Sequence, residues 1–447
     1  MSIFIISISL ATLILSFFLF HKASGSLSLS RFNTVSFVFY FSIVFSTFIG
    51  SVVVALGLVD EHYMIKLVEN STKISAWGWV CYSMIIMPVS MILLNNILKI
   101  NIRKKYVGYL NSNIDFNLGP KFTLTLLFIF FLTGLTTIIY IISKSSTIPL
   151  WTAIVDQNLA DASIERNINK RSFAGIIYIK NLVGLYLIPI FSYYSYVIYK
   201  IKGGTIKRII SYLLILMSVI LLTYDIQKGP IVFYFLGFVI IKVLIDGKIP
   251  TRKFIAFVFV SMLLVFAAYS ITTGKNFWTL FYYKSAFFSR AFISGYGGLP
   301  LTLEWIPNVI LEPTWYIGVP KFILNLFNIE PVESARLVMM QLDPEGVKSG
   351  TAGLVSSYFL AEAWANYGIT GLLLSPVVVG IVVQIVHLFL VSNRKDPLII
   401  AFYAHISTHW LVQNGFVNFL FLKQLIFPFL LYFCIKLLVA LLKMSPK

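Results

Sequence analysis

Charge is scarce in this chain. Only 12% of its 447 residues are Asp, Glu, Lys or Arg, about half the share of an ordinary soluble domain. That composition excludes a water-soluble globule. Cysteine is scarcer still. Cys81 and Cys434 both lie inside apolar runs, so neither a disulfide framework nor a cysteine-based metal site is available. No H-E-x-x-H motif occurs, no repeat of fixed period is visible, and the transporter pattern of inverted, broken repeats is not evident. A positive segment ahead of the first apolar run is missing too: Lys22 and Arg31 follow residues 1–20 rather than precede them. That order argues for a first membrane span and against a cleaved secretory leader.

What the chain has in abundance is apolar sequence, 58% of all residues. Most apolar runs are about 18–25 residues long, the length that carries a helix across a bilayer. Backbone groups in lipid must be satisfied internally, so the choice lies between helices and a closed barrel. Barrel strands alternate apolar and polar residues, and stretches such as 122–143 do not. The sequence therefore predicts an all-α, polytopic integral membrane protein. Spans are expected near 2–20, 35–58, 74–98, 122–143, 176–199, 209–224, 229–246, 254–273, 369–393, 397–413 and 417–440, about eleven in all, within a single membrane domain.

The formal net charge of +18 is not spread evenly. One alternate set of loops, with the C-terminal tail, carries eighteen basic residues against Asp115, Asp246 and Asp396. By the positive-inside rule that side is cytoplasmic, and no basic tract with interleaved aromatics points to nucleic acid. The other side then holds the N-terminus and two long loops, 143–175 and 274–368. The second is too long for an idle connection. Helix-like pieces at Phe322–Asn328 and Val332–Leu342, with six prolines, predict a folded cap.

Chemistry concentrates in and beside those loops. Arg166, Lys170 and Arg171 form one basic face at helical spacing, followed by Lys180 inside a span. Such a set suits a phosphate or diphosphate, because an arginine fork binds two oxygens; the plainer reading is a solvated helix with a snorkelling lysine. Arg290 precedes Gly295, Gly297 and Gly298, which could set backbone N–H groups around a phosphate or simply make a turn. Tyr358, Glu362 and Asn366 share a face at helical spacing, with the glutamate near the membrane boundary. Glu362 is a candidate general base, a partner for one of the arginines, or an interfacial carboxylate facing water. His405 and His409 share a face of the tenth span below Gln413 and Asn414. They suit proton or hydroxyl handling, His409 as the alternative base, or a packed polar face. Two histidines alone do not make a zinc site. Asp225 and Lys228 read as a local ion pair in a tight turn, or as residues lining the site. Asp60–Glu61–His62 could hold a divalent ion but lacks D-x-D spacing, and Asp343-Pro344-Glu345 is the only comparable acidic pair elsewhere. No metal and no cofactor are expected.

The segment GTAGLVSSYFLAEAWANYGITGLLLSPVVVG, residues 350–380, resembles the O-antigen polymerase family. The likeness rests on Ser356 and Ser357, then Glu362, Asn366, Tyr367 and Gly368, then a span with spaced glycines at Gly371 and Gly380. Two large loops bearing arginines and the short DIQKGP turn are similar as well. The resemblance implies a polysaccharide polymerase of the bacterial inner membrane, acting on oligosaccharide repeat units carried by undecaprenyl diphosphate, as in lipopolysaccharide biosynthesis. It implies the lipid-linked oligosaccharide and the bilayer as partners, with a chain-length regulator protein. Glu362 or His409 would be catalytic, and Arg166, Lys170, Arg171, Lys180, Arg290, Tyr358, Asn366 and His405 would bind substrate. A flippase or a glycan ligase using the same carrier would draw on the same cations.

Overall fold

The computed structural model describes residues 1–116, 119–145, 147–154, 165–166, 173–225, 228–256, 258–260, 263, 288, 292–306, 312–349, 352–355, 357–410, 412, 415–421 and 423–444. Among them every regular element is helical. The main helices are α1 (Ser2–Ser24), α2 (Thr34–Ala55), α3 (Asn70–Ile97), α4 (Ile102–Asn111), α5 (Pro120–Lys144), α6 (Ile179–Lys202), α7 (Thr205–Thr223) and α8 (Lys228–Asp246). The 274–368 stretch adds α9 (Gly298–Trp305) and α10 (Ser334–Leu342). The chain continues with α11 (Phe359–Ser392), α12 (Pro397–His409), α13 (Phe416–Phe421) and α14 (Lys423–Met444).

Eight helices among the described residues are long and apolar enough to cross a membrane. They coincide with the expected first to seventh spans and with the ninth. The expected eighth span, 254–273, falls mostly outside the described residues. The helix in the tenth, α12, has 13 residues, about 20 Å of rise against a hydrocarbon core of about 30 Å.

Local chemistry sets the helix ends. Gly25, in the left-handed region at φ 79°, closes α1 and donates its N–H to the His21 carbonyl. Asp396 caps α12 by accepting the Ile399 N–H at 2.8 Å, and Pro397 stands first in the helix where its missing N–H is harmless. α11 is 34 residues long but breaks at Gly368, whose φ of 58° and ψ of −139° are not helical. The break separates a short piece, 359–367, from a membrane-length piece starting where the sequence placed the ninth span. α2 and α6 contain π-helical stretches at Val38–Phe48 and Ile179–Leu187, and such local widenings recur at functional sites.

The helices gather into two compact units. The first comprises residues 1–107, 256–389 and 411–422. In it α1 packs along α3, and α9 packs on both α3 and α10. The second comprises residues 108–255, 390–410 and 423–447. There α12 lies against α6, α8 and α14, and every residue from Pro397 to Thr408 is buried. A helix buried on all sides has to be apolar all round. The polar exceptions on α12, His405 among them, are therefore conspicuous.

Candidate functional site

In the first unit the short piece of α11 is the organising element. Glu362 is only 3% exposed. Its Oε2 accepts the Val417 N–H at 3.1 Å, so the carboxylate reaches the start of α13. Its other oxygen lies against Gly318, which sits at φ 75°. A Cβ built on Gly318 would overlap Oε1 and stand 2.7 Å from Cδ of Glu362. One turn on, Asn366 donates from Nδ2 to the carbonyls of Trp315 (3.2 Å) and Ile317 (2.9 Å). The Thr314 N–H in turn donates to the Ala365 carbonyl at 3.2 Å. Trp364 donates its indole N–H to the Ile306 carbonyl at 2.8 Å. Ile306, Ile317 and Ala365 close over these bonds as a small apolar core. Ile306 and residues 314–317 are thus fastened to the helix piece that carries Glu362.

Glu362 and Asn366 do share a face and a loop. Tyr358 takes a different neighbour: it precedes the helix, is fully buried, and its hydroxyl pairs with Ser83 Oγ of α3 at 3.3 Å. The Asn366 Oδ1 is buried and has no hydrogen-bond partner among the described residues. Gly318 was not singled out by sequence. A lone glycine in WYIGVP signals a turn and nothing more.

The glycine run after Arg290 turns out to serve packing. The N–H groups of Tyr296 and Gly297 both go to the Ile293 carbonyl, and Leu299 N–H goes to Tyr296. Gly295 abuts the Ser46 carbonyl, and Gly50 abuts the Phe292 carbonyl, closer than any side chain would allow. Arg290 itself lies outside the described residues, as do Lys170 and Arg171. Arg166 is described and half-buried, and its buried Nε has no hydrogen-bond partner among the described residues.

In the second unit Lys180 is 3% exposed. It lies 3.3 Å from Asp225 Oδ1 and under two rings, Tyr224 at 4.9 Å and Phe173 at 5.4 Å from the centroids. The sequence paired Asp225 with its neighbour Lys228. The structure gives it a partner 45 residues away, because burying Lys180 in a span demands a counter-charge; the Lys228 side chain lies outside the description. The rings of His405 and His409 stack at 4.3 Å and 15°, as four-residue spacing requires. Tyr186 meets His405 edge-on at 5.7 Å. His409 Nδ1 faces the His405 carbonyl at 3.2 Å and Thr408 Oγ1 at 2.9 Å. Both nitrogens of His405 and Nε2 of His409 have no hydrogen-bond partner among the described residues. Gln413 and Asn414, expected above them, lie outside the description.

The acidic groupings have other duties. Asp60 is bound by Lys73 at 2.7 Å. Asp343 accepts the Gly346 N–H at 2.9 Å and so caps its own short helix. Among the described residues no three His, Cys, Asp or Glu side chains gather as a metal site.

Comparison of the chain with family models, with curated proteins and with solved structures gives no match.

Proposed function

We propose that this protein polymerises glycan repeat units at the outer face of a bacterial inner membrane. The growing chain on undecaprenyl diphosphate is the donor and a single lipid-linked repeat is the acceptor. The bond from sugar to diphosphate breaks as a bond to the acceptor hydroxyl forms. The hydroxyl proton passes to a base, and the leaving diphosphate needs cations more than an acid. About eleven spans, an N-terminus outside and a C-terminus inside complete the reading.

The observation that supports it best is Glu362. A buried carboxylate on a short helix piece, beside a break that opens into a membrane-length helix, is expensive and is retained where chemistry uses it. It stands in the segment that resembles the polymerase family. Arg166, Lys170, Arg171 and Arg290 are proposed for the diphosphate, with His409 as the alternative base.

The test is deletion of the gene and a gel of the surface glycan. Polymerase loss leaves surface acceptors capped with single repeats. An unchanged ladder after deletion refutes the proposal. A lipid-linked glycan flippase is the second reading, favoured by the buried Lys180–Asp225 pair. Its loss would remove even the single-repeat form, and loss of a ligase would do the same while polymer accumulates on the carrier.

A further inference from the structure

One end of the first unit carries six cations. Lys22 stands in the last turn of α1, Arg31 ends the 3-10 turn Leu29–Arg31, Lys99 follows α3, and Arg103, Lys104 and Lys105 lie on α4. All are exposed except Lys105, which is half-buried. Residues 1–59 and 74–114 contain no Asp or Glu. Three tethers draw these segments together. Gly25 packs so closely on α4 that a Cβ there would stand 2.9 Å from Arg103 Cα. Tyr106 donates its hydroxyl to the carbonyls of Arg31 (3.1 Å) and Phe32 (3.2 Å). Asn95 and Gln384 donate to the Ala23 carbonyl at 3.1 and 3.2 Å.

An apolar groove of about 420 Å³ runs toward this end. Ile14, Phe17 and Phe18 of α1 and Phe39, Tyr40 and Val44 of α2 line it. It is open sideways: Phe18 is 64% exposed and Ile14 50%. Phe18 and Lys22 are one helical turn apart, so Lys22 lies on the helix face that lines the groove. Tyr40 closes the same end, its hydroxyl on the Leu27 carbonyl at 2.8 Å and its ring stacked on Phe32, next to Arg31.

We propose that this is a binding site for an anionic glycerophospholipid. One acyl chain occupies the groove, and the headgroup phosphate takes Lys22 and Arg31, with Lys99, Arg103 and Lys104 extending the positive field. Cation clusters at the end of a span select anionic lipids, and the arginine fork suits phosphate oxygens. Charge chooses among occupants. A soluble phosphate leaves the groove unused, a zwitterionic headgroup adds a cation to a crowded positive surface, and a second copy of the chain would set like charge against like. The site is independent of the glycan reading.

The test uses the full chain in nanodiscs of phosphatidylcholine alone or mixed with phosphatidylglycerol, followed by exchange of a spin-labelled phosphatidylglycerol or phosphatidylcholine. The wild type should retain the labelled phosphatidylglycerol and not the labelled phosphatidylcholine. Each cation near an anionic surface is worth about fivefold in affinity, so K22Q/R31Q should weaken retention about thirtyfold. Val44→Trp, which fills the groove, should also release the lipid. K207Q/R208Q, in the first turn of α7 in the second unit, should change nothing. Equal retention of both lipids, a K22Q/R31Q variant that holds phosphatidylglycerol like the wild type, or dimers in the wild type that Val44→Trp dissociates would each overturn the proposal.

Discussion

Replacing Gly318 by alanine tests how Glu362 is held. Two independent terms contribute. The residue sits at φ 75°, where a Cβ costs roughly 1–2 kcal/mol. The added methyl would also overlap the Glu362 carboxylate and drive it off the Val417 N–H. Breaking a buried hydrogen bond to a charged group costs roughly 1.5–3 kcal/mol. Together the change should destabilise the first unit by about 3–5 kcal/mol, a large fraction of the 5–15 kcal/mol typical of a domain. Thermal unfolding in detergent, followed by tryptophan fluorescence, measures it. Gly78→Ala is the control, because a Cβ added there on α3 meets nothing within 4 Å, and it should be neutral or stabilise by about 1 kcal/mol. The decisive variant is the double, G318A/E362A. If the clash is with the carboxylate, removing it relieves the second term, and the pair should be less than additive by about 1–3 kcal/mol. A G318A protein within about 0.5 kcal/mol of wild type, or strict additivity in the double, would refute the reasoning.

Three further expectations rest on single contacts. Lys180→Met or Asp225→Asn alone should destabilise the second unit by about 3–5 kcal/mol, because each leaves a buried charge uncompensated; the double K180M/D225N should recover most of that, and a double no better than the singles would count against the pair. Asn366→Ala should cost about 1–3 kcal/mol through the orphaned Trp315 and Ile317 carbonyls, and Asn366→Asp should unfold more readily still, since it turns an anion onto two acceptors; equal melting of the two would contradict that geometry. Lys395 is 3% exposed and donates to the carbonyls of Leu110 (2.8 Å) and Ser112 (3.0 Å), and burial pushes its ammonium down to about 8 from 10.5. The folded state therefore binds fewer protons than the unfolded state between those values, so wild-type stability should rise relative to Lys395→Met as pH climbs through about 8 to 10.5, by at most about 3 kcal/mol; a pH-independent difference in urea midpoints would dismiss the shift.

The spans were legible because hydropathy and length are local properties. A run such as 122–143 needs no partner to announce itself, and α5 covers it. The start of the ninth span at 369 was legible too, and the structure puts a helix break at the residue before it, Gly368, which readily takes a positive φ. Pairings across sequence were not. Nothing near Asp225 distinguishes Lys228 from Lys180 as its partner until the fold brings α6 beside the turn. The tether of Thr314, Trp315 and Ile317 to Ala365 and Asn366 is hidden for the same reason, because backbone acceptors leave no mark on residue identity. The glycines at 295–298 left a choice that sequence alone does not make: a phosphate cradle, a turn and a close helix contact ask for the same residue.

Glu362 carries both a structural and a chemical argument, and the two are separable by isosteric replacement. As a clamp it needs an acceptor toward Val417 and a small neighbour at Gly318. Glutamine supplies that acceptor through its amide oxygen and has the same shape, so E362Q should fold and melt within about 1 kcal/mol of wild type. As a base it needs a lone pair on a group that can carry away a proton, and an amide cannot do so at neutral pH. E362Q should then cut glycan chain growth by roughly 10²–10⁴, while His409→Ala stays mild. E362A fails on both counts and therefore teaches neither. Normal chain length in a well-folded E362Q protein would leave the carboxylate as a clamp only. A severe loss in His409→Ala alone would move the base to the stacked pair on α12.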